Sequence, residues 1–234
     1  AGSEHFINFG RAAGREVSFD GLNYIASYNG LIKTFGADRG AGAEHFINFG
    51  RAAGKEISFD ARYYLGGNAD LREKFGTDLE AAAAHFINKG FGEGRARNDF
   101  DPLEYIASYS GLSTFFGADA AAGDAHFRKS GFDAGRGDTF DGLEYIASYS
   151  GLSRVFGADR DAGSKHFIEN GRAVGREVSF DGLEYIASHD DLIVDFGSDR
   201  DAGSTHFITV GRNQGRESDF DAQQYLDNYQ GLKQ

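Results

Sequence analysis

The sequence predicts an all-α tandem repeat, a solenoid or a closed six-unit toroid, with two helical elements in each unit of about 40 residues. Three observations predict it. HFINFGRAAGRE at 5–16 returns as HFINFGRAAGKE at 45–56, with related copies opening at His85, His126, His166 and His206, 40 or 41 residues apart. FDGLNYIASYNGLIKTFG at 19–36 reappears as FDGLEYIASYSGLSRVFG at 140–157. Within each copy the apolar residues fall at helical three/four spacing, and a unit this small buries its apolar face only against neighbours.

The first element starts at Asp20. Leu22, Tyr24, Ile25, Tyr28, Leu31, Ile32 and Phe35 follow as one helical stripe. Asp141 with Glu144, and Asp181 with Glu184, have capping-box spacing. Pro102 follows Asp101 at the first helical position, where its missing N–H costs nothing. Gly36, Gly76, Gly117, Gly157 and Gly197 stand 16 residues after the capping Asp and predict left-handed stops. Asn29-Gly30, Ser110-Gly111 and Ser150-Gly151 predict a kink that splits this helix into two short segments.

A second helix is predicted from the cap Asp38 and its equivalents Asp78, Asp119, Asp159 and Asp199. Its inward face would carry Ala41, Gly42, His45, Phe46 and a terminating Gly50, with Ala-Gly opposite His-Phe at a close helix crossing, small residues admitting a large aromatic. The following loop holds the one length change, six residues from Arg95 to Asp101 where Arg15 to Asp20 is five, which places it outside the packed layer. The chain thus reads as a single array: half-unit 1–17, units 18–57, 58–98, 99–138, 139–178 and 179–218, and half-unit 219–234. The two half-units are complementary. They predict pairing with self, by ring closure or by head-to-tail association of copies, or else frayed ends.

Composition narrows the function classes. The net charge of −12 argues against nucleic-acid binding, which needs a basic surface. No stretch approaches the roughly 20 apolar residues of a membrane helix. The absence of cysteine excludes disulfides and thiol chemistry and fits an exported bacterial protein. With no signal-like segment and no Met, the chain reads as a processed product or an excised segment.

Three series invite chemistry. His5, His45, His85, His126, His166 and His206 occupy equivalent positions. Helix layers advance about 8–10 Å, too far for neighbouring copies to share one ion unless a closed ring brings them to its axis, so a buried neutral histidine bonded to backbone or to a neighbouring Asp is expected. Asp159 with Asp161, and Asp199 with Asp201, form Asp-x-Asp turns that suit calcium, although capping and solvation explain the same residues. Arg15, Lys55, Arg95, Arg136, Arg176 and Arg216 form a basic row, suited to carboxylates or sulfates of a glycan with Tyr24- and Tyr28-type rings stacking on sugars. The competing reading of that row is inter-repeat pairing with Glu16-, Glu56- and Glu177-type residues. No asymmetric catalytic constellation occurs, and the chain is expected not to be an enzyme.

The unit FDGLEYIASYSGLSRVFGADRDAGSKHFIENGRAVGRE resembles a bacterial tandem repeat of pattern FD-x3-Y-[IL]-A … DL … FG-x-D … HF-x3-G-x3-GR. The resemblance spans essentially the whole chain; Asp70-Leu71 and Asp191-Leu192 keep the acidic-Leu step, while other copies carry Gly-Leu. That repeat accompanies calcium-binding modules in exported and surface proteins, so the resemblance implies an extracellular or cell-surface location and a scaffold or binding role. The expectation is a structural or interaction array that associates with itself or with neighbouring surface components. The alternative is a module for an extracellular glycan or for calcium.

Overall fold

The computed structural model describes residues 19–229, which form sixteen α-helices and no strand. Half-unit 1–17 and the last five residues of half-unit 219–234 lie outside them. The chain divides into two compact units, residues 1–100 and 101–234, where the sequence predicts one uninterrupted array. The division coincides with the connection that carries the extra residue.

Each complete repeat holds three α-helices. In the first they are Gly21–Ala26, Asn29–Phe35 and Arg39–His45. The second has Ala61–Gly66, Ala69–Phe75 and Leu79–His85, and the third Pro102–Ser108, Ser110–Phe116 and Ala120–His126. The fourth has Gly142–Ala147, Ser150–Phe156 and Arg160–His166; the fifth has Gly182–Ala187, Asp190–Phe196 and Arg200–Thr209. Ala222–Asn228 repeats the first helix once more.

The predicted starts are observed. One oxygen of Asp20 accepts the amides of Leu22 at 2.9 Å and Asn23 at 3.1 Å, and Asp141 does the same for Leu143 and Glu144. Asp38 caps the third helix through the Ala41 amide at 2.9 Å. Gly36 takes φ 54°, ψ −150°, a conformation that side chains disfavour, and its four equivalents do likewise.

The kink lies two residues earlier than predicted. Tyr28 is extended at φ −134°, ψ 118°, and Gly30 sits inside the second helix. The break lets Ser27 and Tyr28 serve the connection to the next repeat. The Ser27 hydroxyl donates to Asn23 O at 2.7 Å and accepts the amides of Ser58 and Phe59 at 2.9 and 3.0 Å. The Tyr28 hydroxyl donates to Glu56 O and accepts from its N–H. Ser108 and Ser148 repeat the Ser27 arrangement.

The first and third helices cross closely, as the small residues predict. A methyl on Gly42 would meet Gly21 O and lie 2.9 Å from Ile25 Cδ1. The core beneath the crossing is aromatic: Tyr24, Tyr64, Tyr105, Tyr145 and Tyr185 are all 0% exposed. In four repeats the Phe before the first helix stacks on the Phe of the HF pair, at 4.3 Å for Phe19–Phe46 and 4.4 Å for Phe140–Phe167. Burial of each such ring contributes roughly 2–3 kcal/mol, so helices of six or seven residues persist by packing and not by propensity.

The 96–100 connection, which carries the extra residue, packs differently from its counterparts. Gly67 replaces the Ser27-type hydroxyl, and the backbone of Asp99 occupies the space where a side chain would stand. The same connection brings Arg97 to Ala26 O at 2.7 Å and to Asn29. In the later repeats Arg172 and Arg212 reach the equivalent kink carbonyls of Ala107 and Ala147. The second repeat has Phe91 at the Arg172 position, and Arg97 takes over that role.

Candidate functional site

The repeated histidine is the centre of each unit. It is half-buried, where the sequence suggests full burial, and its partner is a tyrosine hydroxyl, where the sequence suggests backbone or Asp. Tyr24 Oη lies 3.0 Å from His45 Nδ1, and Tyr64–His85, Tyr105–His126, Tyr145–His166 and Tyr185–His206 repeat the pair at 2.9–3.0 Å. Burial raises all five hydroxyls above the ordinary tyrosine range. Burial also holds His85, His126, His166 and His206 below the ordinary histidine range. A hydroxyl donating to Nδ1 fits the neutral imidazole.

The HF-x3-G spacing explains the arrangement. Phe46–Gly50 is a π turn in which Arg51 N–H donates to Phe46 O, five residues back, at 2.8 Å. In a π turn residues i and i+5 stack on one face, so His45 and Gly50 both meet the Tyr24 hydroxyl. A methyl on Gly50 would overlap that hydroxyl. Gly50 therefore continues the helix, contrary to its predicted role as terminator. The stop is Gly54 at φ 64°, with Gly54 N–H on Arg51 O and Lys55 N–H on Gly50 O, a Schellman motif. The same bonds recur at Gly94-Arg95, Gly135-Arg136, Gly175-Arg176 and Gly215-Arg216.

The motif thereby fixes the basic row, of which Arg15 lies outside the described residues. Arg95 grips Asp70 with two hydrogen bonds at 3.1 and 2.8 Å, and Arg216 grips Asp191 at 3.0 and 2.8 Å. Lys55, Arg136 and Arg176 instead lie over the rings of Tyr28, Tyr109 and Tyr149, at 4.0, 5.2 and 4.7 Å. The partners are thus groups of the same repeat, an Asp or a Tyr, with Glu93 and Asn68 also bonded to Arg95 at 2.8 Å, and not Glu56- or Glu177-type residues of a neighbour. Buried Tyr24-type rings offer no face for a sugar, and the Tyr28-type rings are covered by the basic side chains.

The acidic turns do not gather. Asp159 and Asp199 accept the Ala162 and Ala202 amides at 3.0 Å. Asp201 is ion-paired with Arg160 of the preceding repeat, the relation that Glu80 has to Arg39 at 2.9 Å. Asp161 is exposed and stands where Gly40 stands in the first repeat. Among the described residues no three His, Asp or Glu side chains come together as a metal site.

Glu144, which the sequence places in a capping box with Asp141, faces the next repeat instead of its own helix start, and Glu104 does the same. Glu144 Oε1 accepts Gly182 N–H at 2.9 Å, and Glu104 Oε1 accepts Gly142 N–H at 2.7 Å while Oε2 takes Arg160 at 3.0 Å. Glu104 is 3% exposed. Burial pushes its carboxyl up to about 9 against the pull of Arg160, and pushes Glu144 up to about 7. The sequence carried a signal for this: an acid at position 104 on a first helix recurs opposite an Arg at 160, as does 144 opposite 200, each time on the third helix of the next repeat.

No helix among the described residues is long and apolar enough to cross a membrane. Comparison with protein-family models finds no match, and neither comparison with curated proteins nor comparison with solved structures finds a similar one.

Proposed function

We propose that the chain is a non-enzymatic structural or interaction array that works outside the cell or at its surface. The observation that carries the reading is where the recurrent polar side chains go. Tyr and His hold the first and third helices of one repeat together. Ser27-, Glu104- and Arg172-type residues hold one repeat to the next. Chemistry-bearing residues repeated five times and committed to packing support a scaffold over a catalyst. The cysteine-free acidic composition and the resemblance of the repeat support the location.

Self-association is the specific form that we favour. In the last half-unit Tyr225 is 45% exposed and Tyr229 57%, whereas the five counterparts of Tyr225 are fully buried under a third helix. A helix of HF-x3-G type fits that face, and residues 5–16, outside the described part, have that sequence. Light scattering over a concentration series tests it. Mass growing with concentration in the wild type, and failing to grow in Tyr225→Asp, is the expected result; a constant monomer mass for the wild type defeats self-association.

A further inference from the structure

The repeats differ at one polar position, and the difference exposes a second kind of site. In the second and fifth repeats the Schellman arginine holds a carboxylate supplied by the chain itself, Asp70 for Arg95 and Asp191 for Arg216, in two-bond geometry. In the third repeat the arginine is kept, as Arg136, but the carboxylate position is Gly111. A methyl built on Gly111 meets nothing within 4 Å, so the space that Asp70 and Asp191 fill in their repeats is open. An open cavity of about 340 Å³ lies there, lined by Tyr109, Ser110, Gly111, Leu112 and Arg136.

Arg136 is held for this position independently of any ligand. Its own N–H bonds to Gly131 O, Gly135 precedes it in the left-handed conformation, and its guanidinium lies over the Tyr109 ring. The Tyr109 hydroxyl is anchored in turn to Gly137 O at 3.0 Å. Gly137 follows Arg136 where Glu56, Glu177 and Glu217 follow in other repeats, so no adjacent carboxylate competes. Among the described residues Arg136 has no ion-pair partner, and it is exposed. An arginine already oriented against an aromatic ring loses little freedom on taking a planar carboxylate.

We propose that the Tyr109–Gly111–Arg136 cavity is a binding site for the carboxylate of a hydroxylated small molecule of sugar-acid size, which takes the place that Asp70 and Asp191 take in their own repeats. The Ser110 hydroxyl, on the cavity wall, is available to the ligand's hydroxyls. Arg176 with Gly151 repeats the pairing in the fourth repeat, so the arrangement recurs. The chain's net charge of −12 does not forbid it, because repulsion from charges beyond about 10 Å is screened at ordinary salt.

The test titrates the full chain with glucuronate, and with glucose as the uncharged control, following by NMR the backbone N–H signal of Leu112, which lines the cavity and is kept in both variants. Two variants carry the decision. Arg136→Gln removes the cation, and Gly111→Asp supplies the intrinsic carboxylate found at positions 70 and 191, a change that the open space accommodates. The expected result is a saturable shift with glucuronate, none with glucose, and at least a roughly tenfold weaker response in both variants. The proposal is overturned by no saturable shift in the wild type, by an equal response to glucose, or by undiminished binding in Gly111→Asp. It stands or falls separately from self-association, which involves Tyr225.

Discussion

Gly171 seats the Tyr145 hydroxyl in the fourth repeat. A methyl there would overlap the Tyr145 hydroxyl and lie 3.0 Å from Tyr145 Cζ and 3.1 Å from Phe167 Cδ2. Gly171→Ala therefore gains roughly 0.5–1 kcal/mol of helix propensity, but forces a fully buried ring to move, at a cost of about 1–3 kcal/mol. It also breaks the 2.9 Å bond from Tyr145 to His166 Nδ1, worth about 1 kcal/mol. The expected net loss is roughly 1–3 kcal/mol, read as a lowering of the thermal midpoint by about 2–4 °C per kcal/mol. Tyr145→Phe alone loses the hydrogen bond, about 1 kcal/mol. Because it removes the overlapping atom, the double variant should be less destabilised than the sum of the singles by about 1 kcal/mol or more. Gly151→Ala, with nothing within 4 Å of the new methyl, is the control and should gain roughly 0.5–1 kcal/mol. Far-UV circular dichroism during heating and urea unfolding reads all four. Additive losses in the double variant, or a Gly171→Ala variant as stable as Gly151→Ala, would refute the idea that glycine is needed there to seat the hydroxyl.

Among the described residues the buried hydroxyls of Ser164 and Ser204 have no hydrogen-bond partner, while the equivalent residues in the first two repeats are Ala43 and Ala83. Each Ser→Ala change should stabilise by about 1 kcal/mol, and a measured loss in urea unfolding would contradict it. Glu144 gives a pH dependence. Its carboxyl is raised from 4.5 to about 7, so the folded state holds a proton that the unfolded state releases. This contribution is whole below pH 4.5 and declines as pH rises through about 7, by at most about 3 kcal/mol. Glu144→Gln keeps the acceptor for Gly182 N–H without the titration, so its stability relative to wild type should rise between pH 5 and 8; a flat difference refutes the assignment. The lowered histidines act oppositely. Their contribution is present above pH 6.5 and is lost on acidification, which Tyr145→Phe should leave largely in place because burial is its main cause.

Much of the local structure was legible in the residues because its causes are local. Asp20-, Asp38- and Asp141-type caps reach amides two or three residues away, Pro102 and Gly36 act on their own φ, and Gly42 announces a close crossing by lacking a side chain. The period itself dictated an all-α repeat. The π turn was hidden, since a five-residue spacing from His45 to Gly50 falls on different faces of an α-helix and on one face only after the ladder has shifted. Only the tertiary structure decided the partners of the polar residues: Tyr145 with His166 is 21 residues away, Glu104 with Gly142 is 38, and Arg172 with the Ala107 carbonyl is 65. A side chain's nearest charge in sequence, as in Asp141 with Glu144 or Arg176 with Glu177, loses to a distant group because packing brings an unsatisfied amide or carbonyl to the buried face, and a buried polar group must be bonded where it lies.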